Sequence, residues 1–167
     1  MAEEKVLNVL FLCTHNSARS ILAESIMNYV GCGKFQGYSA GSHPATRPNP
    51  LAIATLAHLR LPSEGLYSKS WEEFARPGAP ELHYVFTVCD NAANEVCPVW
   101  PGQPISAHWG VEDPSLAEGT EEQKLKEFAR VALILKRRIE LFASLPLEKL
   151  DRLMLRKQIQ DIGKVRD

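Results

Sequence analysis

The hydrophobic residues of this chain fall into short unbroken runs that are separated by longer stretches with helical periodicity. Residues 6–12 are almost entirely apolar, which is typical of a parallel strand covered on both faces. Residues 38–40, 82–88 and 105–108 form shorter runs of the same kind and predict three further strands. Four strands are therefore expected.

The stretches between these runs predict helices. Apolar positions recur at helical spacing from residue 19 to residue 29. A proline that suits a first helical turn begins a second helix, at 49–59. A short helix at 71–74, a long amphipathic one at 121–145 and a last one at 147–162 complete the pattern. This alternation predicts an α/β fold, a three-layer sandwich in which a four-stranded parallel sheet is flanked by helices. We expect one domain over 1–167, with a C-terminal helical extension from about 147.

Composition narrows the class of protein. The 167 residues include 19 Lys and Arg against 20 Asp and Glu, so a disordered or nucleic-acid-binding chain is not expected. The densest basic cluster, Lys136-Arg137-Arg138, lies within the long amphipathic helix, and we interpret it as a solvated face. No apolar stretch approaches the roughly 20 residues needed to cross a bilayer. A soluble, cytoplasmic protein without membrane or nucleic-acid partners is predicted.

The polar segment between the first strand and the first helix carries the most specific pattern, Cys13-Thr14-His15-Asn16-Ser17-Ala18-Arg19-Ser20. Five residues between the cysteine and the arginine let the backbone curl into a ring, so that its amides converge at a helix N-terminus and can bind an anion. The same field is expected to lower the pKa of Cys13 and to supply a nucleophilic thiolate. The alternative is a buried cysteine at a strand end.

The other loop residues suit an oxyanion site. Arg19 can bind two oxygens of a tetrahedral anion at once. Asn16 tolerates left-handed backbone and can brace the loop from within, and Ser20 is placed to donate a hydrogen bond to the thiolate. The predicted oxyanion-binding residues are Thr14, His15, Asn16, Ser17, Ala18, Arg19 and Ser20.

This loop resembles that of the low-molecular-weight protein tyrosine phosphatases and of the arsenate reductases that share their fold. The resemblance covers roughly the first 140 residues and includes Tyr38-Ser39-Ala40-Gly41-Ser42, Val88-Cys89-Asp90, Cys97-Pro98, His108-Trp109-Gly110 and Asp113-Pro114. It implies that Asp113 is the general acid that protonates the leaving oxygen, with Glu112 as the alternative. Asp-Pro also commonly begins a turn or a helix.

Two activities are compatible with this resemblance. The phosphatases usually carry an aromatic residue after Asp-Pro, whereas residues 115–119 are Ser-Leu-Ala-Glu-Gly here. The reductases carry His-Trp-Gly before the acid and redox thiols after the third strand, and Cys89 and Cys97 match these thiols. An arsenate reductase is therefore expected. The alternative is a phosphatase that hydrolyses phosphate monoesters through a phosphocysteine.

For a reductase, the resemblance implies a thiol relay. Cys13 attacks arsenic, Cys89 then attacks the Cys13 sulfur and releases arsenite, and Cys97 attacks Cys89. Seven residues separate Cys89 from Cys97, where the thioredoxin-coupled reductases have six, so residues 90–96 are expected to unwind for the last step. Thioredoxin and glutaredoxin with glutathione are both compatible reductants. Cys32 matches no motif and is interpreted as incidental.

The resemblance also concerns a structural potassium site of some reductases. Asn16, Glu24 and Ser39 align with its ligands, but Lys69 corresponds to an acidic ligand. We expect the ammonium of Lys69 to replace the ion. No His and Cys set has the spacing of a zinc site, so neither a metal nor a cofactor is predicted.

Overall fold

Four parallel strands form the centre of the computed structural model, which describes residues 5–90, 92, 95 and 100–166. Their spatial order is β2 (Phe35–Ala40), β1 (Leu7–Leu12), β3 (Tyr84–Thr87) and β4 (Ile105–His108). The predicted four-stranded parallel sheet is confirmed. Strand β2 begins earlier than predicted because Phe35, which pairs with Leu7, is separated from the apolar run by a glutamine and a glycine.

The helices of the described part are α1 (Arg19–Val30), α2 (Pro50–His58), α3 (Glu121–Ala143) and α4 (Arg152–Ile162). Short 3-10 helices occupy Trp71–Phe74, as predicted, and Pro114–Leu116. Local capping explains two of the starts. The Asn49 side chain accepts a hydrogen bond from the Leu51 amide at 2.8 Å, and Thr120 forms a reciprocal capping box with Gln123. No helix in these ranges is long and apolar enough to cross a membrane.

The last helix is shorter than the predicted 147–162. The chain turns after Pro146, and α4 begins only after Asp151, whose carboxylate accepts a hydrogen bond from the Met154 amide at 2.8 Å. Aspartate favours the cap over the interior of a helix because its side chain can satisfy an amide that lacks a partner. The extension therefore starts with a turn, and its helix follows.

The two faces of the sheet contribute to separate hydrophobic clusters. Phe11 and Phe86 belong to the larger cluster, which includes residues from all four α-helices. Leu10 and Val85 belong to the other cluster, where they pack with Trp71, Phe74, Leu82 and Trp100. Because both faces are covered, the strands read as unbroken apolar runs rather than as an alternating pattern.

Trp109 connects the C-terminal extension to the sheet. Its ring stacks on Phe86 with centroids 4.2 Å apart, and its indole N–H donates a hydrogen bond to the Ile159 carbonyl at 2.9 Å. Gly163 lies so close that a Cβ there would be 2.7 Å from Trp109 Cδ1. The extension therefore packs against Trp109, at the start of the loop that leads from β4 to Asp113.

The carboxyl ends of the four strands lie at one edge of the sheet. Strand β1 lies between β2 and β3, so the winding of the chain reverses at β1. Such a reversal forms a crevice in which parallel sheets bind ligands. Cys13, Cys89 and Asp113 follow β1, β3 and β4, and the topology therefore brings all three to this edge.

Candidate active site

The loop after β1 is fixed by backbone contacts with the segment after β2. The Cys13 amide donates to the Ala40 carbonyl at 3.2 Å, and the His43 amide donates to the Thr14 carbonyl at 2.9 Å. A Cβ on Gly41 would lie 2.5 Å from the carbonyl oxygens of both Cys13 and Thr14. Glycine at this position therefore allows the two segments to approach each other.

Asn16 braces the loop from inside, as predicted. Its backbone is left-handed, with φ at 48°, and its side chain is fully buried. Asn16 Nδ2 donates to Ser20 Oγ at 2.8 Å, and Oδ1 accepts from the Lys69 amide at 2.9 Å. The predicted hydrogen bond from Ser20 to the thiolate is not among the contacts of the described residues, where Ser20 Oγ is the acceptor for Asn16.

The N-terminus of α1 faces a cavity of about 390 Å³, called here the oxyanion cavity. Ala18 is the N-cap residue, and because it lacks a polar side chain, the first amides of the helix are open to an anion. The predicted loop residues that line this cavity are Cys13, His15, Ser17, Ala18 and Arg19. His15 is exposed, and its Nδ1 lies 3.0 Å from the His43 carbonyl oxygen.

Arg19 reaches across the oxyanion cavity to the loop after β4. Its Nη1 donates to the Val111 carbonyl at 3.0 Å, and its Nη2 lies 3.5 Å from Asp113 Oδ2. Arg19 Nε is buried and has no hydrogen-bond partner among the described residues. A buried donor without a partner is costly, and an oxyanion in the cavity would supply the acceptor. This geometry fits the predicted role of Arg19.

Asp113 both begins a short helix and lines the oxyanion cavity, so it combines the two roles that sequence analysis left open. As the N-cap of Pro114–Leu116, its Oδ1 accepts hydrogen bonds from the amide and the hydroxyl of Ser115, at 2.9 and 2.6 Å. Its Oδ2 is the atom that faces Arg19, and Asp113 lines the oxyanion cavity. One oxygen therefore orients the carboxyl group while the other is presented to the cavity.

Glu112, the alternative acid, faces a different part of the molecule. Its carboxylate pairs with Arg130 at 3.7 Å and also with Arg166. It is not among the described residues that line the oxyanion cavity. The geometry therefore favours Asp113 as the acid.

Cys89, which follows β3, contacts the nucleophile loop. Its sulfur accepts hydrogen bonds from the amides of Thr14 and Ala92, both at 3.4 Å. A hydrogen-bonding interaction with the neighbouring Cys13 thiol lowers the pKa of Cys89 to about 5, and the two amides add to this effect while burial opposes it. The same interaction, together with burial, raises the pKa of Cys13, although the charge of Arg19 acts in the opposite direction.

This result differs from the predicted lowering of the Cys13 pKa. A local pattern of residues does not reveal that a second thiol contacts the first. Two buried sulfurs in contact ionise one after the other, because the charge on one raises the pKa of the other. The two thiols therefore ionise as a pair, and the directions of their pKa shifts favour the first ionisation at Cys89.

The remaining cysteines of the chain are Cys32 and Cys97. Cys32 is exposed beyond the end of α1, in keeping with its interpretation as incidental. Cys97 lies outside the described residues, and so does most of the segment 90–96. The part of Cys97 in the relay and the unwinding of that segment therefore stay predictions.

The family model for low molecular weight phosphotyrosine protein phosphatase matches residues 8–154. The chain belongs to this family. Within it, an arsenate reductase from Halalkalibacterium halodurans is 36% identical over 136 residues, which cover 81% of this chain and 94% of that protein. A glutaredoxin arsenate reductase from Synechocystis sp. is 32% identical over 132 residues, 79% of this chain and 92% of the relative. A solved arsenate reductase in the phosphate binding state has a TM-score of 0.68 at 30% identity, covering 83% of this chain and 97% of the other.

The expected difference from the phosphatases of this family is visible in the oxyanion cavity. No Phe, Tyr or Trp lines it in the described part of the chain. Ser115 lies at its wall, and Leu116, which follows directly, has a side chain that is 77% exposed. A slot for a phosphotyrosine ring is therefore not formed by these residues.

Lys69 lies beneath the nucleophile loop of this family member. Its ammonium donates to the Ser39 carbonyl at 3.0 Å and lies 3.6 Å from Glu24 Oε1 and 4.2 Å from the ring centroid of Tyr67. The side chain is 7% exposed, so its charge is balanced by these buried oxygens rather than by water. The contacts agree with an ammonium in place of a bound cation, while the absence of potassium binding stays a prediction.

Two residues near the site escaped the sequence interpretation. Glu95 accepts hydrogen bonds from Thr14 Oγ1, at 2.9 Å, and from Ser42 Oγ, and no sequence spacing indicates these contacts. Arg138 was placed by its charge on a solvated face, which is wrong, since it is 1% exposed. The sequence does indicate that Arg138 is buried, because its position continues the apolar spacing of residues 128, 131, 135 and 142 on α3.

Proposed function

We propose that this protein reduces arsenate to arsenite in a thiol-dependent reaction that serves arsenic detoxification. Cys13 is the nucleophile and Cys89 the second thiol. The contact between these two sulfurs beside an anion cavity carries the proposal, because hydrolysis of a phosphate ester requires a single thiol. The arsenate reductases among the relatives support the same conclusion.

The first step forms an adduct between the enzyme and arsenate. Arsenate binds between the first amides of α1 and the guanidinium of Arg19. Transfer of the shared proton to Cys89 leaves a thiolate on Cys13, which attacks arsenic. Asp113 donates a proton to an arsenate oxygen, and this oxygen leaves as water. Arg19 and the amides stabilise the charge of the adduct.

The second step is the reduction. Cys89, as its thiolate, attacks the Cys13 sulfur, and a disulfide forms between the two residues. The arsenic–sulfur bond breaks with its electron pair on arsenic, so arsenic(V) becomes arsenic(III) and leaves as arsenite. Cys89 first releases to solvent the proton that it took up in the first step, and the amides of Thr14 and Ala92, which lower its pKa, stabilise the thiolate. Two electrons have then left the sulfurs and must be returned by an external thiol.

Thioredoxin, or glutaredoxin with glutathione, is the proposed source of these electrons. Such reductants are maintained in the cytoplasm, where we therefore place the protein. A relay through Cys97 is part of the proposal for thioredoxin, whereas glutathione can act on the Cys13–Cys89 disulfide directly. Supplying arsenate with each system separately, and following consumption of reduced nicotinamide, distinguishes the two.

Phosphatase activity is expected as a side reaction of the same loop, because phosphate and arsenate are tetrahedral anions of similar chemistry. The variant Cys89→Ser separates the two activities. It is expected to abolish turnover of arsenate and to retain hydrolysis of p-nitrophenyl phosphate, since hydrolysis needs no second thiol to form a disulfide. The exposed Cys32→Ser is the matched control and should retain both. Full arsenate turnover by Cys89→Ser would contradict the proposal.

A further inference from the structure

A second cavity lies on the other side of the Arg19–Asp113 pair and has a volume of about 480 Å³. Arg19 and Asp113 line both cavities. Among the described residues, however, Cys13 lines only the oxyanion cavity, and Cys89 lines only the second cavity. The two sulfurs of the proposed disulfide are therefore reached from different sides.

Access selects Cys89 as the sulfur that a reductant attacks. In disulfide exchange a thiolate attacks one sulfur and the other sulfur leaves as a thiolate, which for Cys13 would lie beside the charge of Arg19. The attacking thiolate approaches in line with the bond that breaks, which means from the side of Cys89 away from Cys13. The second cavity reaches Cys89 and not Cys13, as this route requires.

The depth of Cys89 selects a small reductant. Its side chain is 2% exposed, so it lies at the floor of the second cavity rather than on the surface. A thiol held on the surface of a folded protein does not reach such a floor without displacing its walls. A short peptide thiol does, and a cavity of this size is typical of small-molecule sites.

The C-terminal tail supplies a cation at the wall of this cavity. Arg138 Nε donates to the Val165 carbonyl at 2.8 Å and thereby fixes the tail, so that Arg166 lines the cavity. The Arg166 side chain is 47% exposed, and its contacts within the described residues are with Glu112 alone. A guanidinium has five N–H donors, so Arg166 retains donors for a second carboxylate. Asp90, which is 87% exposed, adds an anion to the same lining.

We propose that the second cavity binds a short peptide thiol of the glutathione class, with a carboxylate on Arg166 and the sulfur directed at Cys89. An ammonium and carboxylates on one ligand match the opposite charges of Asp90 and Arg166. The inference rests on the proposed function and adds to it the site of the reductant. The tail residues that form this site lie beyond residue 154, where the family match ends.

Glutathione reduces the Cys13–Cys89 disulfide in two exchange steps. The glutathione thiolate attacks the Cys89 sulfur, the Cys13–Cys89 bond breaks, and Cys13 leaves as a thiolate. Cys89 then carries a mixed disulfide with glutathione. A second glutathione thiolate attacks the glutathione sulfur, which releases Cys89 and forms oxidised glutathione. Two glutathione molecules supply the two electrons that arsenic received.

The test compares Arg166→Gln with Lys164→Gln, a control in the same tail whose ammonium is 82% exposed and pairs with Asp161. At saturating arsenate, Arg166→Gln should raise the KM for glutathione about tenfold, as expected for loss of one charged hydrogen bond. Lys164→Gln should leave this KM unchanged. With 2-mercaptoethanol, which has no carboxylate, Arg166→Gln and wild type should react equally.

The outcomes separate this proposal from the function on which it rests. Release of one arsenite per protein before any reductant is added tests the proposed function and should be the same in both variants. An unchanged KM for glutathione in Arg166→Gln overturns the assignment of the second cavity and leaves the function intact. Turnover with thioredoxin and none with glutathione would also overturn the assignment of the second cavity. A glutathione adduct on Cys89 of the oxidised protein, found by mass spectrometry, supports the assignment.

Discussion

The two loops that meet at the site are positioned in different ways. The nucleophile loop, residues 13–20, is braced by its own Asn16 and by the segment that follows the neighbouring strand β2. The acid loop, residues 109–113, is braced from a distance. Arg138 Nη1 donates to the carbonyls of Trp109 and Gly110 at 2.8 and 3.2 Å, while its Nε donates to Val165.

This difference separates contacts within the range of the family match from contacts with residues beyond it. The contacts of the nucleophile loop lie within residues 8–154, which the family model matches. The acid loop depends in addition on Ile159 and Val165, which lie beyond that range. The extension therefore acts on the position of Asp113, whereas the thiol pair should be independent of it. Three experiments examine this division.

The largest effect is expected from Asp113→Asn, which removes the acid and retains the size of the side chain. Loss of a general acid typically costs 10²- to 10⁴-fold, and we expect about 10³-fold in kcat for arsenate. Hydrolysis of p-nitrophenyl phosphate should fall less, because its leaving group needs less protonation. Steady-state kinetics on both substrates measure the ratio. Glu118→Gln, at an exposed position beyond the 3-10 helix that follows Asp113, is the control.

Equal losses on the two substrates would show that Asp113 positions Arg19 rather than donating a proton. The salt bridge between them, at 3.5 Å, makes this a real alternative outcome.

The sequence predicted those parts of this site that depend on local order. The cysteine loop could be identified because nucleophile, anion-binding amides and Arg19 lie within one turn between a strand and a helix. Asp113 required the family resemblance, since Asp-Pro alone is typical of any helix start. The resemblance implied that Cys89 reaches Cys13, but the effect of this contact on the Cys13 pKa depends on the packing of β3 beside β1 and could not be predicted. That contact reversed the expected direction of the Cys13 pKa.

Arg138 shows a second limit of such prediction. The apolar spacing of α3 placed it on the buried face, but its charge favoured the surface. In the structure it is a buried cation, and its hydrogen-bond acceptors are backbone carbonyls that become available only when the acid loop and the tail pack together. Charge is a weak indicator of exposure where folded backbone can supply the partners.

Replacing Arg138 should produce the second largest effect. Arg138→Met keeps the apolar stem but leaves buried carbonyl oxygens without donors, and we expect a loss of about 2–4 kcal/mol in the free energy of unfolding. Urea denaturation measures this loss. Arg137→Met, an exposed neighbour on the same helix, should change stability by less than about 0.5 kcal/mol. Equal effects of the two would contradict the buried role of Arg138.

The Arg138→Met variant also tests whether Arg138 positions the acid loop. If Arg138 positions the acid loop, Arg138→Met should reduce arsenate turnover more than hydrolysis of p-nitrophenyl phosphate, as Asp113→Asn does. A fraction of unfolded protein would reduce both equally. The ratio of the two activities is therefore the measurement that separates positioning from general destabilisation.

The smallest effect concerns the thiol pair and its pH dependence. Cys89, with its pKa lowered to about 5, is protonated below that pH and ionised above it, so its alkylation by iodoacetamide should rise with pH and level off above this value. Cys13→Ala removes the hydrogen bond that contributes most to the lowering, and the midpoint should move to higher pH. Mass spectrometry identifies the alkylated cysteine.

The same titration of the Arg138→Met variant tests whether ionisation of the thiol pair is independent of the acid loop. The lowering of the Cys89 pKa depends on Cys13, Thr14 and Ala92, none of which belongs to the acid loop or the tail. The midpoint should therefore stay at its wild-type pH in Arg138→Met, although the acid loop is loosened. A shift of the midpoint in that variant would mean that the extension also controls ionisation of the thiols, and the two loops would then form one cooperative unit rather than two.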